Sequence, residues 1–122
     1  MKADFLQHIQ SLPQPPSGNY PHGTPFVAAL AHGSMSVELF APAAAGLDRD
    51  IQQPHEQDEL YVVQRGRSAF WLEGERCWVQ TGDVLFVPAG APHRFEDFSD
   101  DFVTWVVFYG PKIFTPKNGE PT

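Results

Sequence analysis

From Phe26 to Tyr109 the chain is cut into short runs in which apolar and polar residues alternate, and each run ends at Gly, Pro or Asp. Alternation with period two sends successive side chains to opposite faces, which suits a strand and not a helix. Gly, Pro and Asp are turn formers, so the runs cannot fuse into longer elements. The runs are FVAAL at 26–30, SMSVELF at 34–40, Gln53 to Arg65, Arg67 to Glu73, Glu75 to Gln80, Val84 to Pro88, His93 to Glu96 and Phe102 to Tyr109. Seven or eight short strands with turns every eight to ten residues predict an all-β antiparallel sandwich or small barrel. LEGER predicts a tight hairpin with Glu73-Gly74 or Gly74-Glu75 at its tip. In SMSVELF, Met35, Val37 and Leu39 alternate with Ser36 and Glu38, which predicts one buried face and one wet face.

The first 25 residues read differently. Phe5, Ile9 and Leu12 recur at helical spacing, and Asp4 can cap the turn before them, so residues 4–12 predict a short helix. Pro13, Pro15 and Pro16 stop it, and residues 13–25, with five prolines and two glycines, read as an extended arm. At 122 residues the chain is one domain by size. Its expected parts are this helix and arm at 1–25, a barrel at 26–115 and a tail at 116–122.

Composition excludes some partners. The formal net charge is -7 and the eight basic residues are scattered, whereas nucleic acid and anionic membrane both need clustered Lys and Arg. Cys77 is the only cysteine, so no intrachain disulfide can form. No apolar run approaches the roughly 20 residues of a membrane helix, and MKADFLQHIQSLPQPP lacks the apolar core of a signal peptide. The expectation is a cytoplasmic protein of bacterial type.

The chemistry is concentrated in QQPHEQDELYVVQRG, residues 52–66. On a regular strand Gln53, His55, Gln57, Glu59, Tyr61 and Val63 share one face. His55 and Glu59 would then lie about 13 Å apart along the backbone by strand rise, too far to meet at one ion. A bend or bulge near Glu56 to Asp58, or a position of His55 at the rim, has to bring them together.

This stretch resembles the first motif of the cupin superfamily: two histidines two apart, then a glutamate, then a glycine. Glu59 and Gly66 keep the motif's separation of six residues, and His55 takes the place of the second histidine. The first histidine's place falls on Gln53, which departs from the pattern. Gly82, Pro88, Gly90 and His93 match the second motif at every spacing, and its final asparagine falls on Asp97. Fifteen residues separate Gly66 from Gly82, as in small one-domain bacterial cupins.

The resemblance implies a jelly-roll barrel, a double-stranded β-helix, with one divalent transition metal (Fe, Mn, Zn or Ni) near its mouth. His55, Glu59 and His93 would be the ligands, a two-histidine, one-carboxylate set that leaves coordination positions open. Gln53 could add a weaker carbonyl oxygen. Aromatic residues on alternating strand positions, Tyr61, Phe70, Phe86, Phe95 and Trp105, are candidates for a substrate pocket, with Phe108 beside them. The implied function is metal-dependent chemistry, of oxygenase or isomerase type, on a small organic molecule. The alternative is a module that binds or senses a small ligand or metal without chemistry. A homodimer is expected, built on the 13–25 arm or on DFVTWVVF at 101–108, which is apolar on both faces.

Overall fold

Among the described residues eight strands form, and neighbouring strands pair antiparallel. They are β1 (Phe26–His32), β2 (Met35–Phe40), β3 (Asp58–Arg65), β4 (Arg67–Leu72), β5 (Glu75–Gln80), β6 (Val84–Val87), β7 (His93–Glu96) and β8 (Val103–Tyr109). The computed structural model describes residues 1–113, so the expected tail at 116–122 lies outside the described residues. Strand order is β1-β2-β8-β3-β6 in one sheet and β5-β4-β7 in the other. The architecture is therefore a small jelly-roll barrel whose two sheets keep separate hydrogen-bonded ladders.

The inner faces of both sheets supply one core. Tyr61 and Val63 on β3, Phe70 on β4, Val79 on β5, Val87 on β6, Phe95 on β7 and Val106 on β8 pack together with Phe40 and Phe102. Phe95 is at its centre, with ring centroids of Tyr61, Phe70 and Phe102 each 4.9 Å away. Truncating a ring at such a site costs about 3–5 kcal/mol, because a cavity adds to the lost transfer energy.

A second cluster lies outside the barrel. Helix α1 (Phe5–Gln10) is capped by Asp4, whose carboxylate accepts from the Leu6 and Gln7 amides. Its Phe5 and Ile9 lie with Leu12 against Leu39, Ala41, Val103 and Trp105, the outer faces of β2 and β8. Leu39 is buried as expected, but the face of β2 expected to be wet turns inward. The apolar face carrying Val37 and Leu39 is the outer one, with Leu39 buried beneath the helix, and the Ser36–Glu38–Phe40 face turns into the barrel.

Turns follow residue chemistry. Glu73 and Gly74 both take positive φ, 48° and 89°, giving the two-residue hairpin at the first of the expected tips. Gly66 joins β3 to β4 at φ 76°. A Cβ there would collide with the Ser99 hydroxyl and stand 2.9 Å from Phe102 Cα, so two requirements demand glycine at once. Asp97 also has positive φ, 52°. Asp and Asn are the non-glycine residues that tolerate this region best, which explains how Asp can stand in the motif's asparagine place.

Candidate metal centre

The expected strand from Gln53 starts only at Asp58. Residues 51–55 run irregularly and the chain bends at Glu56–Gln57. Pro54 contributes, since proline cannot donate to a ladder. The bend folds His55 back over β3, so its Nδ1 lies 2.8 Å from Glu59 Oε1. Glu59 is on the inner face of β3 and 2% exposed. His93, at the start of β7 on the facing sheet, is 5% exposed and places Nε2 3.2 Å from the same Glu59 oxygen. One donor atom from each of the three residues falls within 4.8 Å of the others. The site thus bridges the two sheets.

The proton positions are compatible with a bound cation. His93 Nδ1 lies 2.9 Å from the Ala91 carbonyl, which can only accept, so Nδ1 carries a proton. Nε2 then faces Glu59 with either a second proton or a lone pair. With a lone pair, two acceptors oppose each other unless a cation lies between them. Glu59 Oε2 is buried and without a hydrogen-bond partner. A buried carboxylate oxygen in that condition is costly, and this donor set suits a transition metal. Without a metal, burial alone would raise the Glu59 carboxyl, but hydrogen bonds and positive charge from His55 and His93 outweigh it and hold it at about 2. Burial would lower His93. The Glu59 bond and charge, with smaller help from the Ala91 carbonyl and Asp50, raise it instead.

A buried chain of groups backs His93. The Tyr61 hydroxyl is 3.0 Å from His93 Nε2 and 3.3 Å from Gln52 Oε1. Gln52 Nε2 donates to Asp50 Oδ2 at 2.6 Å, and the Phe95 amide donates to the same oxygen at 3.1 Å. Burial raises the Asp50 carboxyl against these hydrogen bonds. Burial, then the Glu59 and Asp50 charges, push the Tyr61 hydroxyl well above its ordinary range. Tyr61 therefore stays a neutral donor.

The other expected site residues separate. Gln53 is exposed and lies on the rim. Phe70 and Phe95 are buried in the core around Tyr61. Phe86 does not face inward: it pairs with Leu60 on the outer side of β6 and is 57% exposed. Trp105 also faces outward, 6.1 Å from the Phe5 ring, with its indole N–H donating to Gln64 Oε1. Its strand is thus covered on that face by the chain's own helix. Sequence reasoning missed Asp50, Gln52 and Glu38. Only Gln52 carried a signal, as a second amide beside Gln53.

A cavity of about 460 Å³ opens beside His55. Phe40, Val106 and Phe108 wall it, and the arm residue Tyr20 closes one side.

The cupin-domain family profile matches residues 39–109, more than half of the chain. The protein is a cupin. Over 87 residues this cupin is 40% identical to the uncharacterized protein SCO3923 of Streptomyces coelicolor, covering 71% of this chain and 81% of that protein. It is 36% identical over 59 residues to acireductone dioxygenase 3 of Arabidopsis thaliana, 48% of this chain but only 28% of the relative. Among solved structures, protein NMB1881 of Neisseria meningitidis superposes with a TM-score of 0.63 at 14% identity, covering 90% of this cupin and all of that chain, 100%. That likeness concerns the fold.

Proposed function

We propose that this cupin binds one divalent transition metal through His55, Glu59 and His93 and carries out chemistry, of oxygenase or isomerase type, on a small organic molecule held in the adjoining cavity. The observation that carries this reading is the triad itself, Glu59 and His93 buried and His55 partly so, with one Glu59 oxygen left unpartnered. A bound ion supplies Lewis acidity or redox capacity and open positions for an oxygen donor. The Ala91 carbonyl holds His93 in the tautomer that leaves Nε2 for the ion, and the Tyr61 hydroxyl stands beside that same nitrogen. The aromatic and aliphatic walls exclude water from one side of the cavity. Gln53 stands on the rim as a fourth, weaker oxygen donor in this proposal. The name of the Arabidopsis relative is consistent with oxygen chemistry at such a centre.

A second reading is a binding or sensing module without turnover. Gln53 in the place of a histidine favours it, because one imidazole fewer weakens the ion's hold. Metal content by elemental mass spectrometry, on protein purified without a histidine tag, tests the site. About one equivalent, absent from a His55→Ala, His93→Ala double variant, is expected. Iron or manganese favours the enzyme reading. No metal after reconstitution with iron, manganese, zinc and nickel overturns both readings.

The same proposal includes a homodimer and a cytoplasmic setting. Exposed Leu60, Val84 and Phe86 form an apolar patch on the outer face of the edge strand β6 and its neighbour. The exposed free Cys77 fits a reducing compartment. Among the described residues no helix is long and apolar enough to cross a membrane.

A further inference from the structure

Glu38 stands on the inner face of β2, between Ala28 of β1 and Val106 of β8. Both register partners are apolar. Its carboxyl is half-buried and lines the cavity beside His55. Among the described residues it has no ion-pair partner, and no Lys or Arg lines the cavity. The nearby Glu56 is already neutralised by Lys112 at 3.0 Å. Around Glu38 the walls are aromatic: Phe26, Phe40, Phe108 and Tyr20, whose ring meets Phe26 edge-on at 5.8 Å.

A carboxylate drawn into an apolar wall without a cation is costly, and aromatic faces attract cations. Together they make a receptor for positive charge. We propose that the cavity recognises a small alkylammonium compound, with Glu38 as its counter-ion and the Phe26, Phe40 and Phe108 rings packing its carbon skeleton. The proposal rests on the preceding functional reading only in assigning the other end of the molecule to the His55–Glu59–His93 side. A carboxylate in the Glu38 half of the cavity would meet like charge and no Lys or Arg.

The test uses two probes of similar shape and opposite charge, phenethylamine and 3-phenylpropionate, titrated into chelator-treated protein and followed by amide NMR. The amine is expected to shift β2 and β8 resonances saturably and to bind at least tenfold more tightly than the acid. Glu38→Gln, close in shape to the native side chain, is expected to cut amine affinity at least tenfold. Equal or tighter binding of the acid overturns the proposal. So does amine affinity unchanged in Glu38→Gln, amine shifts elsewhere in the molecule, or no saturable amine shift. If Glu38→Gln fails to fold, the amine-to-acid ratio in wild type still decides. Metal content is measured separately on untreated protein. Amine selectivity without metal binding sinks the metal-centre reading alone, and metal without amine selectivity sinks this one alone.

Discussion

Tyr61 and His93 meet across the interior from opposite sheets, the phenol oxygen 3.0 Å from the imidazole Nε2. Through this contact β3 and β7 share a buried polar chain that runs on to Gln52 and Asp50. Tyr61→Phe keeps the ring and removes the link. Metal affinity should rise severalfold, because the hydroxyl stands against the same Nε2 that would hold the ion. Stability of the metal-free protein should fall by about 1 kcal/mol, the net worth of a hydrogen bond. Competition with a chromophoric chelator and thermal melting measure the two. A fall in affinity would instead show that the hydroxyl supports the ligand rather than competing for its nitrogen.

The pH dependence should change sign with metal. In metal-free protein the Glu59 carboxyl, at about 2, lies below its ordinary 4.5, so it contributes stability above 4.5 that is lost as pH falls towards 2. The His93 imidazole lies above its ordinary 6.5, so its contribution is full below 6.5 and is lost as pH rises through the folded value. Both are present together between 4.5 and 6.5. The melting temperature of metal-free protein should therefore peak in that window and decline at alkaline pH. With metal bound, protons compete for the imidazole ligands, so stability and metal content should both decline on acidification through the same window. Parallel slopes for the two forms would argue against an ion at the triad.

Position 53 offers a gain-of-function check. Gln53→His restores the missing imidazole beside His55. Metal affinity should rise by about tenfold, roughly 1.4 kcal/mol. If affinity does not move, residue 53 does not reach the ion.

Two substitutions on the outer surface test folding and the proposed dimer separately. Phe86→Asp places charge in the exposed patch and should convert a dimer to monomer by light scattering, with the melting temperature nearly unchanged. Trp105→Asp should instead destabilise each subunit by several kcal/mol, because it puts a charge beneath helix α1. Retention of the dimer by Phe86→Asp would move the interface elsewhere.

Strand number and the central triad were legible in the sequence for different reasons. The strands were visible because turn residues punctuate a period-two pattern. His55, Glu59 and His93 were visible only through motif spacing, since a straight strand would have kept the first two apart. The bend at Glu56–Gln57 that unites them has no local periodicity to announce it. Alternation in β2 shows that its two faces differ and not which one meets the barrel. A short helix from far up the chain buries the apolar face, so Glu38 turns inward. Phe86 and Trp105 turn outward where inward positions were expected, because their strands have apolar residues on both sides and parity has nothing to distinguish. Asp50 and Gln52 sit in an irregular segment where no pattern reaches, and only tertiary packing brings them to Tyr61.

The crowding at Gly66 has a consequence for how such sites change. That glycine is imposed by Ser99 and Phe102 pressing on the turn, at the opposite end of β3 from the bend that carries His55. Half of what makes the first motif recognisable is therefore a record of chain geometry, enforced whether or not an ion is held. The scaffold's spelling and the ligands' spelling are under separate constraint. A chain like this one can carry Gln53 in the place of the motif's first histidine without loosening the barrel that displays it.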